Sequence, residues 1–149
     1  MSSILNSQRT IKNEKELKAF WQEFLPHLSE RSILLLSGDV GAGKTTSTQL
    51  IADILGMKDV QSPSFAIHLR YENAEGRFID HIDLYRLKDD DDLESSGFWD
   101  LFAAKKGLVV IEWAQRLDYD YLPLNWQRVE VKLQKTSIDG ERMITVQLL

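Results

Sequence analysis

The chain has 149 residues, 43% of them hydrophobic and 28% charged, a balance that suits one globular domain over residues 1–149 with a single core. It has no cysteine, which excludes disulfides, thiolate catalysis and cysteine-based metal sites. The net charge of −5 argues against unaided nucleic-acid binding, so any RNA would be held through a basic partner protein. The opening residues Met1 to Asn6 lack the basic and apolar regions of a secretory signal, and no apolar run is long enough to span a membrane. A cytoplasmic location is therefore expected.

Ile4 to Ile11 reads as an opening strand. Asn13 followed by Glu16 is a helix N-cap with its reciprocal partner. Leu17, Phe20, Trp21, Phe24, Leu25 and Leu28 then recur at helical spacing, giving one broad apolar face that belongs to a core. Ser32 to Ser37 is an apolar strand of the kind buried on both faces of a parallel sheet. Directly after it, Gly38 to Thr45 has the spacing Gly-x-x-x-x-Gly-Lys-Thr, and a helical pattern follows from Thr45 to Leu55. This is the setting a phosphate-binding loop requires.

The chemistry of that loop follows from its residue types. Glycines at 38, 41 and 43 let backbone N–H groups converge on phosphate oxygens, and the following helix turns its positive end toward the same anion. Lys44 supplies a point charge for the β and γ phosphates, and the Thr45 hydroxyl is a ligand for magnesium. In the helix, Leu50, Ile51, Ile54 and Leu55 are expected to face inward, with Gly56 ending it. Strand, helix and next strand are expected to form a right-handed crossover unit.

Ser62-Pro63-Ser64-Phe65 opens the next element, where Ser62 and Ser64 lie at the place of a switch loop or of a turn built on Pro63. Ala66 to Tyr71 and Phe78 to Leu84 alternate as strands around a turn at Asn73 to Gly76, suggesting a hairpin. The run Asp89 to Asp92 reads as a solvated helix start rather than a metal cluster, because side chains of consecutive residues diverge around the first turn. Leu108 to Trp113 is a buried strand ending in the acid Glu112. Arg128 to Leu133 and Arg142 to Leu148 read as a closing hairpin joined near Asp139-Gly140.

A phosphate loop needs an acid for magnesium or its waters at the end of a neighbouring strand. Glu112 and Asp83 are the two candidates, and either can orient an attacking water. His81 shares the face of Asp83, while Asp80 and Ile82 point the other way. His81 is read equally as a phosphate sensor and as a packed, hydrogen-bonded residue. Arg86 can reach a nucleotide or pair with the acidic run. No Asn-Lys-x-Asp segment for guanine is present, so ATP is the expected nucleotide. The segment Arg86 to Glu94 is too acidic for the lid of a small-molecule kinase. A nucleotide-gated binding module with negligible turnover is the main alternative to an ATPase.

Several separated blocks occur together in this order and spacing: Gly38-Asp39-Val40-Gly41-Ala42-Gly43-Lys44-Thr45-Thr46, Ser62-Pro63-Ser64-Phe65, His81-Ile82-Asp83-Leu84-Tyr85-Arg86-Leu87, Leu93-Glu94 with Gly97, and Ile111-Glu112-Trp113. In these the chain closely resembles the TsaE (YjeE) family of small bacterial ATPases. The resemblance implies an α/β fold, a single P-loop NTPase domain with a mostly parallel central sheet, flanking helices and antiparallel additions. It implies ATP and Mg2+ as cofactors and a role in forming N6-threonylcarbamoyladenosine on tRNA. It also implies work alongside the TsaD and TsaB proteins, which would contact the tRNA, while TsaC makes the adenylate intermediate. By motif position Gly41, Ala42, Gly43, Lys44, Thr45 and Thr46 would cradle the nucleotide. Lys44, Asp83 and Glu112 would be catalytic, with Thr45, Asp83 and Glu112 at the metal and Trp113 beside the site. Arg142 would touch the base. The chain departs from the family pattern at Ser64 (usually Thr), at Ala114 (usually Pro), and at Glu14 to Leu17, which offer no threonine for the nucleotide.

Overall fold

Seven strands are present among the residues described by a computed structural model of the chain, namely 3–57, 68–85, 93–94 and 96–149. They are β1 Asn6–Ile11, β2 Arg31–Ser37, β3 His68–Glu72, β4 Phe78–Asp83, β5 Gly107–Glu112, β6 Gln127–Lys135 and β7 Arg142–Leu148. All belong to one mixed sheet with the order β1-β7-β6-β2-β5-β4-β3. The inner strands β6, β2, β5 and β4 run parallel. β7, β1 and β3 add antiparallel at the two edges. The expected parallel centre with antiparallel additions is present, and the two kinds of pairing are equal in number.

Burial explains the strand patterns. Ile33, Leu34, Leu35 and Leu36 of β2 are all fully buried, because this central strand is covered on both faces. On one face, Leu34, Leu36, Val110, Val129 and Val131 pack with two helices, α1 Glu14–Phe24 and α2 Lys44–Ile54. Asn13 caps α1 by accepting from Glu16 N at 2.9 Å, and Glu16 accepts from Lys12 N at 2.9 Å. Phe20, Trp21 and Phe24 stack edge to face within that layer. Pro26, which has no N–H to give, sits where α1 tightens into a short 3-10 turn.

The other face carries Ile33, Leu35, Val109 and Ile111 beneath Phe98, Leu122 and Trp126. Short 3-10 turns cover it, so among the described residues both α-helices lie on the first face. The β3–β4 hairpin turns where expected: Asn73 accepts from Glu75 N and Arg77 N, each at 3.0 Å.

Two expectations need correction. The strand after α2 is β3, which lies at the far edge and antiparallel to the centre, so it does not close a crossover beside β2. The neighbours of β2 are β5 and β6, both much later in the chain. The inward stripe of α2 is Lys44, Ser47, Thr48, Ile51 and Ala52, whereas Leu50, Ile54 and Leu55 are half-buried at its margin. Of these polar residues Lys44 lines the cavity described next and Thr48 hydrogen-bonds Glu112 beside it.

Candidate functional site

The carboxyl ends of β2, β4 and β5 converge on the glycine loop. Gly38 leaves β2 at φ 142, and a Cβ there would lie 2.3 Å from the Leu133 carbonyl oxygen of β6, so the position admits no side chain. Gly43 precedes α2 in a left-handed conformation at φ 112, and no side chain caps the amides that follow. A Cβ at Gly43 would meet nothing within 4 Å, so this helix end opens toward free space.

The loop carbonyls, by contrast, are bound. Lys44 Nζ donates to Gly38 O at 2.5 Å and Asp39 O at 2.7 Å, and Gln115 Nε2 donates to Gly38 O at 3.1 Å. Arg142 donates to Gly41 O at 2.9 Å and Ala42 O at 3.2 Å. With its carbonyls turned outward to these donors, such a loop leaves its N–H groups for an anion.

Lys44 is buried at 5% exposure, and its Nζ stands 4.0 Å from the centre of the Trp113 ring. Burial pushes its pKa down, while the charges of Glu112, Asp39 and Asp83 act the other way. Trp113 adopts φ 58, the one positive φ at a non-glycine residue among those described. That conformation costs about 1 kcal/mol or more. It turns the chain immediately after Glu112 and brings the indole against Lys44 and the Tyr85 ring, the latter 5.0 Å away.

Glu112 ends β5 in register with Asp83, which ends the parallel neighbour β4. Its carboxylate is buried and accepts from Thr45 Oγ1 at 2.8 Å, from Thr48 Oγ1 at 3.2 Å and from His81 Nε2. Burial alone would raise its pKa. The hydrogen bond and charge of His81 and the two threonine hydroxyls outweigh burial and hold the carboxyl below its ordinary range. His81 Nδ1 is buried without a partner among the described residues, so His81 is a packed residue aimed at Glu112.

Above these groups lies a cavity of about 570 Å3. Gly41, Ala42, Gly43, Lys44, Thr45, Thr46 and Asp83 line it. So do Ile11, Asn13, Glu14, Leu17 and Arg142. The structure thus brings Gly41 to Thr46, Asp83 and Arg142 to one cavity, with Glu112 hydrogen-bonded to Thr45. Glu14 and Leu17, from the segment that offers no threonine, line this cavity. Ser62, Ser64, Arg86 and the run Asp89 to Asp92 lie outside the described residues.

Thr48 and Gln115 join the site although the sequence reading did not name them. Thr48 was accessible in principle, since it lies one helical turn beyond Lys44 and Thr45. Gln115 carries no local signal.

The donor set suits a magnesium nucleotide. Hard oxygen ligands are present at Thr45, Asp83 and Glu112, and the Thr45 proton points at Glu112, which leaves the hydroxyl lone pairs free. Among the described residues no group of three or more histidines and acids could enclose a metal by itself. Magnesium requires none when phosphates complete its shell. No helix is long and apolar enough to cross a membrane among the described residues.

Comparison with known proteins identifies the family. Residues 11–144 match the family described as threonylcarbamoyl adenosine biosynthesis protein TsaE. The tRNA threonylcarbamoyladenosine biosynthesis protein TsaE of Haemophilus influenzae is 38% identical over 101 residues, 66% of this chain and 63% of that protein. The same-named protein of Aquifex aeolicus is 30% identical over 131 residues, 81% of this chain and 92% of its own length. The crystal structure of Bacillus subtilis YdiB superposes with a TM-score of 0.70 at 28% identity, covering 95% of this chain and 84% of that one. The chain belongs to the TsaE family.

Proposed function

We propose that this protein is a magnesium-dependent ATP-binding and hydrolysing P-loop protein that serves N6-threonylcarbamoyladenosine formation on tRNA, acting with a TsaD–TsaB complex. The observation that carries the nucleotide reading is the junction at Thr45. A hydroxyl on the first turn of an uncapped helix donates to a buried strand-end carboxylate, beside a lysine whose amine faces the same cavity. The tRNA role is supported by family membership and by the names of the relatives.

On this reading Lys44 leaves the Gly38 and Asp39 carbonyls to meet the β and γ phosphates, and the open amides of α2 take the remaining charge. Thr45 would hold the metal, and Glu112 fixes the Thr45 hydroxyl. Asp83 lines the same cavity, and either it or Glu112 would orient the attacking water. Magnesium, when bound, supplies charge neutralisation on the transferring phosphoryl oxygens.

Glu112 accepts from three donors, Thr45, Thr48 and His81, which supports its role in holding the Thr45 hydroxyl. A nucleotide-gated module would show no phosphate release with or without TsaD–TsaB, whereas the ATPase reading expects release that rises when they are added. Lys44→Ala should weaken ATP binding at least ~100-fold, the scale of losing a charge-assisted contact set. Unchanged ATP affinity in that variant, measured by calorimetry, would overturn the site assignment.

A further inference from the structure

The C-terminal hairpin gives the glycine loop a support that the nucleotide itself does not require. Arg142 opens β7 and is held between Ile11 of β1 and Lys135 of β6, so its backbone is fixed by the sheet on both sides. Its side chain crosses to residues a hundred positions earlier. Nη2 donates to Gly41 O at 2.9 Å, Nε to Ala42 O at 3.2 Å and Nη1 to Glu141 O at 2.9 Å. Each guanidinium nitrogen is thus engaged on a backbone carbonyl. The next residue of the hairpin that approaches is Lys135, whose Nζ would lie 2.9 Å from a Cβ built on Gly41.

An anion cradle of amides holds its shape only while the intervening carbonyls stay turned away, and a carbonyl so turned must find a donor. Lys44 cannot be that donor during binding, because its amine is needed by the phosphates. Gln115 remains for Gly38, and Arg142 serves Gly41 and Ala42. Resting on the triphosphate reading above, we propose that Arg142 is a positioning residue: it holds the loop in its anion-accepting form through the Gly41 and Ala42 carbonyls and does not read the base. The planar guanidinium meets the two carbonyls with separate nitrogens held in one fixed geometry, Nη2 on Gly41 O and Nε on Ala42 O, which a lysine's single, flexibly carried ammonium does not reproduce.

The test compares ATP with inorganic tripolyphosphate, which has no base. Both are titrated with magnesium into full-length wild type, Arg142→Met and Arg142→Lys, with thermal melting to establish folding. The expected result is that Arg142→Met weakens both ligands by the same factor, about 10- to 100-fold, with partial recovery in Arg142→Lys. The amide resonances of Gly41 and Gly43 should also move in the unliganded Met variant. If ATP weakens while tripolyphosphate does not, Arg142 reads the base and the proposal falls. Unchanged affinity for both overturns it as well, as does a wild type that binds ATP but not tripolyphosphate. Should Arg142→Met fail to fold, Arg142→Lys carries the same equal-factor comparison. A folded wild type that binds neither ligand overturns the nucleotide reading itself.

Discussion

Asp80 and His81 are consecutive on β4, and their side chains leave the sheet on opposite faces, each to build a buried carboxylate–histidine pair. On the face away from the cavity, Asp80 accepts from His68 Nε2 at 2.7 Å and from Arg70 Nε and Nη2 at 2.8 and 3.1 Å. On the cavity side, Glu112 accepts from His81 and from the hydroxyls of Thr45 and Thr48. Both carboxylates are 1% exposed. They differ in countercharge. Arg70 is permanently charged and lies over the Phe78 ring at 4.2 Å, so it neutralises Asp80 within the hairpin. Glu112 is hydrogen-bonded by neutral hydroxyls and a histidine, with no arginine in its shell. A neutralised pair fastens two strands together. The Glu112 carboxylate instead joins a second strand to the first turns of α2 at the edge of the cavity, where its partners include Thr45, a cavity-lining residue.

The contrast breaks most visibly at Glu112. Glu112→Gln keeps the shape and removes the charge, so ATP hydrolysis should fall by about 100- to 1000-fold while ATP affinity stays within a few-fold. A phosphate-release assay that finds wild-type turnover would make Glu112 another structural acid like Asp80.

Asp80→Asn should do the reverse, leaving ATP affinity unchanged and lowering stability by about 1–3 kcal/mol in denaturant melts. The pH dependence has a definite sign. Burial pushes the Asp80 carboxyl up, but the hydrogen bonds and charges of His68 and Arg70 outweigh it and hold it below the ordinary value. Its contribution is therefore complete above the unfolded value of about 3.9 and is lost as pH falls through that value and then the lower folded one. Wild type and Asp80→Asn should be most different in stability at pH 7 and draw together progressively as pH falls below about 3.9 toward the lower folded value. A gap that persists in acid would mean that packing, not charge, holds the hairpin.

The smallest effect is expected at Thr48, whose hydroxyl is the longest of the Glu112 contacts at 3.2 Å. Thr48→Val should cost no more than about 1 kcal/mol and reduce turnover only a few-fold. A loss as large as that of Glu112→Gln would place Thr48 among the metal-holding groups.

Local chemistry was legible in the sequence, and its partners were not. Gly38 to Thr45, the Asn13–Glu16 cap and the acid ending β5 are each set by residues within a few positions of one another. Alternation along β4 correctly separated His81 from Asp80. It could not say that His81 meets Glu112 or that Asp80 meets Arg70, because both partners come from other strands. The stripe of α2 was misjudged for a related reason. Hydrophobicity pointed to Leu50, Ile54 and Leu55, which pack at the margin of the core, while the helix buries Ser47 and also Thr48, whose hydroxyl donates to Glu112. The donors to the loop carbonyls, Gln115 and Arg142, are long-range and leave no local pattern.

The sheet order also bears on how the protein is made. β2, which launches the loop, has as its neighbours β5 and β6, and Arg142 lies beyond both. As the chain emerges from the ribosome, the loop leaves first and waits for about a hundred residues before its carbonyls are met. A high-contact-order sheet of this kind closes late. Nascent chains stalled before Gln127 should present β2 with one bare edge and an unformed cradle, so nucleotide retention would report that β6 and β7 have docked.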